Sequence, residues 1–562
     1  MRSMGTAVND VSLLPKQCKH GYIVKVSNSR QSDEDDYYLK FEGLNNQDGT
    51  GSWVECAKPG IDLSLTNMPL VIQRTALANP GTSTEVATFT IKQFGYANRG
   101  VGDENTNPMP SFVDKRINRV LFFRNRLAFL AGENVVLCRP GTLGEPDFFS
   151  ETALTVSAND PIDISCSSNF PSELFDGIDI NSGLVVFSSN QQFLLSSDDT
   201  VLNPDTAKLR SISTFNYNKD IPPVSLGTTV AYLDNSGKFS RFNEMANIAR
   251  EGEPNVVNQS QVVPTLIPKN VDLFTNSREN NLVLIGKTDS DEVQGFRYLN
   301  VGDKRQQSAW FKWKFNNPLK YHFVINDEYY FLDTDNFLQE VRLVQTESDP
   351  AIIQDNVDYL LHIDNHISIS GGTFDHPTNK TTFSGQNWLT SVTTPNYDLV
   401  VIDTNTASTR VGRYAKATIS GTSFTVPGDW SGASIFVGYL YEYKVLFPTF
   451  YLTQTQGESS RADVNSSLVI HRMKLHFGKI GLYETTLSRI GKNDYTEVYE
   501  STELDEYDVS DAPYVDEFIK TIPVYERNTN VDITLKSQHP APSTLRAVSW
   551  EGDFSPRYYK RV

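Results

Sequence analysis

The sequence predicts a mainly β fold: a β-propeller-like domain joined to a further β-sandwich or barrel-like domain, with very little helix. Three observations carry this. Long stretches alternate and are rich in Val, Ile, Thr, Phe and Tyr, the residues that fit a pleated surface. Asn, Asp, Gly and Ser punctuate those stretches at turn positions. From residue 117 onward, groups of short strands begin near residues 119, 183, 228, 281 and 321, a step of about 50 residues that suits propeller blades. The chain has 562 residues, of which 39% are hydrophobic and 11% aromatic, enough for sizeable packed cores. At about 150 residues per domain, that length suggests three to four domains.

Gly21 to Val26 and Tyr37 to Phe41 read as paired strands around a charged connection, and the acidic run at 33–36 reads as a solvated hairpin tip. Arg119 to Phe123, Leu127 to Ala131 and Asn134 to Arg139 read as three strands with tight turns. Gly183 to Ser188 pairs with Gln191 to Ser196. Thr228 to Leu233 pairs with Lys238 to Phe242 across Asp234-Asn235-Ser236-Gly237, a strong turn signal. Asn281 to Gly286 and Gly295 to Leu299 follow, then Tyr321 to Ile325, Glu328 to Leu332 and Phe337 to Leu343. Thr346 to Asp355 is polar and reads as a boundary. Beyond it the clearest strands are Tyr397 to Asp403, Phe436 to Val445, Leu468 to Phe477, Val531 to Lys536 and Thr544 to Trp550. Ser501 to Tyr514 is acidic and reads as solvated. The best helix candidate is one turn at Pro171 to Phe175.

Composition excludes several classes. The formal charge of −18 argues against a protein that grips nucleic acid through a general basic surface. Cys18, Cys56, Cys138 and Cys166 form no C-x-x-C pair, so reduced thiols are expected rather than a zinc site. Met1 to Asp10 has no apolar core of a signal peptide. The most apolar window, Ile117 to Ala131, is interrupted by Arg119, Arg124 and Arg126, so stable membrane insertion is not expected.

The search for chemistry returns little. There is no G-x-S-x-G elbow and no P-loop, and Gly100-Val101-Gly102 lacks the glycine spacing of a dinucleotide site and reads as a flexible loop. His362, Asp364 and His366 would share one face of a strand, with Asp375-His376 close enough for a hairpin partner; these are weak metal candidates. No catalytic residues and no cofactor are expected. Lys115, Arg116, Arg119, Arg124 and Arg126 form a basic cluster, read first as ion pairs closing blade edges. Trp310, Phe311, Trp313 and Phe315 alternate with Lys312 and Lys314, as in a strand covered on both faces.

Asn107 to Gly132 reads NPMPSFVDKRINRVLFFRNRLAFLAG, followed by Glu133-Asn134. Its Asn107, Pro108, Pro110, Ser111, Phe112, Phe122, Phe123, Arg124, Asn125, Arg126, Leu127 and Gly132 closely resemble a long motif of the tail tubular protein B, or tail nozzle, family of short-tailed, podovirus-type bacteriophages. Asn159-Asp160-Pro161-Ile162-Asp163 resembles a further family segment. So do Arg305-Gln306-Gln307-Ser308-Ala309-Trp310 and Trp550-Glu551-Gly552. The matches run in order over nearly the whole chain. The histidine set lies outside that pattern, and family members are substantially longer at the N-terminus.

The resemblance implies a structural virion-tail protein made in the bacterial cytoplasm: one subunit of a six-membered ring below the adaptor ring (tail tubular protein A). Tail fibres would dock near that junction, and double-stranded DNA would pass without tight binding. It implies an N-terminal β segment at 1–110 left from a longer region, a propeller-like domain at 111–345, a distal nozzle domain at 346–525 and returning C-terminal strands at 526–562. Polar loops at Gly371 to Gln386 and Gln454 to Asp463 are candidate channel gates. The alternative is a β-propeller tail protein that binds or depolymerises host surface glycan.

Overall fold

The computed structural model describes residues 5–27, 36–82, 84–142, 144–168, 170–197, 201–248, 252–301, 304–344, 351–354, 357–391, 396–405, 411–432, 434–456, 459–499 and 517–556. Among them helix is confined to five short 3-10 turns, so the protein is mainly β. It divides into two compact units, Met1–Asn281 and Leu282–Val562. That boundary falls inside the stretch 111–345.

The first unit opens with a five-stranded sheet in which Ile23–Val26 pairs antiparallel with Tyr37–Gly43, as the alternation predicts. Val24, Val26, Leu39 and Phe41 point inward. Residues 28–35 of the acidic connection lie outside the described residues, but Asp36 corrects the solvated reading. It is buried, with its carboxylate 2.5 Å from Lys25 Nζ. A two-stranded ribbon, Leu70–Ala78 with Val86–Gln93, was not legible as a pair in the sequence.

Three four-stranded antiparallel meanders follow. The first holds Ile117–Phe123, Arg126–Ala131, Asn134–Leu137 and Ile162–Ser165. The second holds Leu174–Ile180, Gly183–Ser188, Gln192–Ser197 and Ala207–Ser213. The third holds Val224–Ser225, Val230–Asp234, Arg241–Ala246 and Asn255–Asn258. Successive side chains of a strand point to opposite faces, and here both faces are covered. Leu184, Val186, Phe193 and Leu195 pack on Ala128, Leu130, Val135 and Leu137 of the first meander. Val185, Phe187 and Leu194 pack on Val230, Tyr232 and Met245 of the third. Phe129, Ala131 and Val136 use the other face of the first meander to meet Leu65, Met68, Phe112 and Phe148.

This face-to-face stacking of small meanders is propeller-like. It explains why an inner strand such as Gly183–Ser188 is buried on both faces. Each fully buried Leu, Val or Phe contributes roughly 1.5–3 kcal/mol. One sequence expectation fails here. Pro171–Phe175 forms no helical turn: Leu174 and Phe175 already belong to a strand, because Leu174 and the residues after it pair with Gly183–Ser188. The fourth strand of each meander was missed because it is short or polar on its exposed face.

The second unit starts with Leu282–Gly286, Ser290–Val301, Lys304–Ile325, Glu328–Asp333 and Leu338–Arg342, paired antiparallel in chain order. Phe311, Trp313 and Phe315 share one face, with the Phe315 ring tilted against Phe331 at 4.4 Å and Trp313 against Tyr329 at 5.8 Å. Gly295 lies directly beneath the Phe311 ring, where a Cβ would meet ring carbon at 2.1 Å. The expected boundary at 346–355 contains a strand, Ala351–Gln354, paired with Val357–Leu360.

Next come two interleaved four-stranded sheets around Phe383, Leu399, Val401, Phe424, Val426 and Val437, a sandwich in which the chain switches sheets repeatedly. The stretch Gly371 to Gln386 is therefore no free loop. It contains Thr373–Asp375 and Lys380–Phe383, and Phe383 is a core residue. Gln454 to Asp463 is built from the hairpin Thr453–Gln456 with Ser459–Ala462. A final pair of sheets encloses Leu468, Ile470, Met473, Tyr483, Ile522 and Leu535. The C-terminal strands complete this core, and residue 525 lies inside the strand Phe518–Arg527. Ser501 to Tyr514 lies outside the described residues.

Candidate functional site

The long motif at 107–134 folds into one connected cluster with the 159–163 segment. Asn107 is buried, and its amide donates to the carbonyls of Val101 (3.1 Å) and Ser150 (3.2 Å) while accepting from Ser150 N–H (3.1 Å). The neighbouring Gly100-Val101-Gly102 is anchored rather than a free loop. Gly102 bridges to Ala57, has φ +79°, and a Cβ there would meet Asn107 Cβ at 2.9 Å. Pro110 is buried and Pro108 exposed. Phe112 packs edge-on against Phe129 and Phe148, at 5.2 and 5.1 Å.

Asp163 gathers three donors. Ser111 gives both its N–H (2.8 Å) and its hydroxyl (2.7 Å), and Asn134 Nδ2 gives a third at 3.0 Å. These bonds fasten the segment before the first meander to that meander's fourth strand. Asp160 sits deeper. Its carboxylate accepts from Ser157 N–H (2.7 Å) and Glu151 N–H (3.2 Å), closing the loop that Pro161 leaves to start the strand.

Among the described residues, Arg126 is the largest of the fully buried side chains. Its Nη1 donates to the carbonyls of Asp160 (2.7 Å) and Cys138 (2.9 Å). Its Nη2 reaches Ala158 (3.3 Å) and Leu202 (3.4 Å). Burial pulls its pKa down from the usual guanidinium value, with Cys138 and Asp160 opposing that shift. The ion-pair expectation holds for Arg119, whose Nε lies 3.2 Å from Asp176 of the next meander. It fails for Arg126, which binds carbonyls. A shallow cavity of about 210 Å³ beside it is lined by Arg124, Pro140, Ala158, Asn159 and Val201.

Phe123 and Arg126 pair across a two-residue turn made by Arg124 and Asn125, both left-handed, at φ +45° and +61°. This is the primed geometry that hairpins favour. Phe122 is exposed and Phe123 buried, as alternation requires. Leu127 N–H meets Cys138 Sγ at 3.1 Å, and Gly132 (φ +59°) offers its carbonyl to Leu174 N–H at 2.8 Å.

The remaining motif residues belong to the second unit. Arg305 stacks over Phe296 and Tyr298 while donating to Asn300 Oδ1 at 3.1 Å; Gln306 and Gln307 are exposed; Trp310 packs 4.8 Å from Phe296. Trp550 covers the last core, Glu551 pairs with Lys474 (2.7 Å) and Arg472 (3.3 Å), and Gly552 lies against the Val469 backbone.

The metal candidates do not converge. Among the described residues, no group of three His, Cys, Asp or Glu side chains could hold an ion. His362 precedes the strand Asp364–Ile369, and Asn365 takes φ +47° within a register shift, which breaks the alternation the expectation needed. Asp364 is bound by Asn316 Nδ2 at 2.8 Å, His366 packs on Phe436, and Asp375-His376 belongs to the other sheet of the sandwich. All four cysteines are free thiols. No helix among the described residues is long and apolar enough to cross a membrane.

The family model for the bacteriophage nozzle protein matches residues 1–561. The chain belongs to the bacteriophage nozzle protein family. This nozzle-family chain is 24% identical over 505 residues to the tail tubular protein gp12 of Escherichia phage T7, covering 86% of this chain and 59% of that protein. It thus spans about three-fifths of that relative's length. Overlays on solved structures are weak. Hsv2p of Kluyveromyces lactis gives a TM-score of 0.28 at 10% identity, over 54% of this chain and 90% of that one. BamB of Moraxella catarrhalis gives 0.26 at 12% identity, over 56% and 80%.

Proposed function

We propose that this nozzle-family protein is a structural subunit of a phage tail: six copies form a ring below the adaptor that extends the DNA-ejection channel. The observation that carries the reading is the match of the nozzle family model to residues 1–561. The motif cluster supports it physically. Arg126, Asp160 and Asp163 spend their bonds on backbone and on neighbouring strands, so they rigidify a scaffold. A structural rather than enzymatic role is the reading that the family supports.

The net charge of −18 per chain suits a conduit. An acidic lumen would repel phosphates, whereas lysine and arginine contacts would arrest DNA in transit. The adaptor, tail fibres at the adaptor junction and passing double-stranded DNA are the partners this reading assigns. Electron microscopy of the purified protein and of virions tests it. A sixfold ring with a central hole, present at the tail tip, is expected; an elongated trimer active on glycan would overturn it.

A further inference from the structure

The long strand Lys304–Ile325 is interrupted part-way along. Lys314 stands opposite Glu292 and Leu319 opposite Ser290, so Phe315, Asn316, Asn317 and Pro318 all face the single residue Asp291. A bulge of this kind bends the strand and re-aims its side chains. Here it turns two buried asparagines toward different neighbours. Asn317 Nδ2 donates to Asp333 Oδ2 at 2.9 Å, within the same sheet. Asn316 reaches out of the sheet to the sandwich that follows it.

Asn316 Nδ2 donates to Asp364 Oδ2 at 2.8 Å, and Asn316 Oδ1 accepts from Asn396 N–H at 3.0 Å. Asp364 opens the sandwich strand Asp364–Ile369, and Asn396 lies just before Leu399–Asp403. Asn396 reaches back in turn. Its Nδ2 donates to Phe315 O at 2.8 Å and to Asp291 Oδ2 at 3.2 Å. Two amides and two carboxylates thus cross between the bodies, with Lys314 Nζ 3.6 Å from Asp291 on the sheet side. Asn316 must donate to one partner and accept from the other, so its amide has one orientation and the closed network specifies one geometry.

Each body has an interior of its own. The sandwich core around Phe383, Val401 and Val437 draws its side chains from residues 367–439. On the sheet, Phe315, Tyr329 and Phe331 pack on one another. Bodies joined through polar contacts move relative to one another more readily than bodies that share a large apolar interface. Each amide bond at the joint can be exchanged for water at a small net cost, so opening the joint leaves both cores intact.

We propose that Asn316 and Asn396 form the latch of a hinge: closed, they hold the sandwich on the sheet, and when they part the sandwich swings as a rigid body. The hinge is independent of the ring reading above. The test uses the full chain with Cys18 and Cys56 replaced by serine. Nitroxide labels at Lys320→Cys on the sheet and Thr418→Cys on the sandwich report the distance between the two bodies by double electron–electron resonance, in an excess of unlabelled chain. The parent should give one narrow distribution, and Asn316→Ala one about twice as wide, because both bonds of that side chain are lost. Asn396 is exposed, so Asn396→Ala keeps the fold and should widen the distribution in the same way. Hydrogen exchange read by mass spectrometry separates a hinge from a loosened fold. In both variants, peptides spanning 314–317 and 364–366 should exchange about tenfold faster, while Leu399–Asp403 and Ile435–Tyr439 keep their protection. Distributions of unchanged width, a joint that exchanges no faster, or core strands that lose protection together with the joint would each overturn the hinge.

Discussion

Arg126 Nη1 donates to the carbonyl of Asp160 at 2.7 Å, joining the first meander to the loop that precedes its own fourth strand. The same guanidinium also reaches Cys138, Ala158 and Leu202, so one side chain binds four carbonyls of three backbone segments. Arg126→Met should destabilise the first unit by about 3–5 kcal/mol, because buried carbonyls lose charged donors. Arg126→Lys should recover only part of that, since an ammonium lacks the planar fork. Urea unfolding followed by tryptophan fluorescence measures it. A loss below 1 kcal/mol for the Met variant would show that the carbonyls find other donors.

Arg124 holds a left-handed conformation at φ +45° in the turn it shares with Asn125. Arginine gains nothing local from that geometry, whereas asparagine adopts it readily. Arg124→Asn should therefore stabilise the protein by about 0.5–1 kcal/mol and raise the melting temperature. A lower melting temperature would mean that the Arg124 contact with the Phe123 ring outweighs the backbone gain.

Gly552 lies where the strand Ser467–Ile480 bulges between Ile470 and Arg472. A Cβ at residue 552 would sit 2.2 Å from Val469 O and 3.1 Å from Ile470 Cα, both backbone atoms that cannot step aside. Gly552→Ala should cost about 2–3 kcal/mol and disturb pairing of the last strand. Gly432→Ala, with open space around its Cβ, is the control and should change stability little. Equal losses in the two variants would remove the steric argument.

Buried His539 is held neutral, its pKa pushed down to about 3 by burial. Its Nδ1 accepts from Ala541 N–H at 3.1 Å, and the ring meets Tyr414 edge-on at 4.8 Å. The unfolded chain takes up a proton near pH 6.5 that the folded chain refuses. The stability contributed is thus complete above pH 6.5 and lost as pH falls toward 3. Asp364 has the opposite sign: burial raises its pKa above 3.8, so its contribution fades as pH rises through that shift. His539→Gln should flatten the acid limb by up to about 1.4 kcal/mol per pH unit between pH 6 and 4. Denaturant titrations across that range would show an unchanged slope if His539 were not responsible.

The sequence by itself determined the strand content, most hairpin positions from Gly21 through Leu343, and the family. Those depend on local rules: alternation, turn residues such as Asp234 to Gly237, and the contiguous motif at 107–134. It also held Arg126 and Asp160 as motif residues without revealing their bond, because 34 residues of chain separate them and only folding brings the carbonyl to the guanidinium. Tertiary structure alone decided three further things. It buried both faces of Gly183–Ser188, a consequence of meanders stacking on either side. It scattered His362, Asp364 and His366, since one left-handed residue, Asn365, undoes the period of two on which the metal reading depended. And it left the Leu70–Gln93 ribbon bare on its apolar face. The alternation of Leu70, Ile72, Phe89 and Ile91 is visible in the chain, but burial is a property of what lies opposite, and no sequence pattern specifies that.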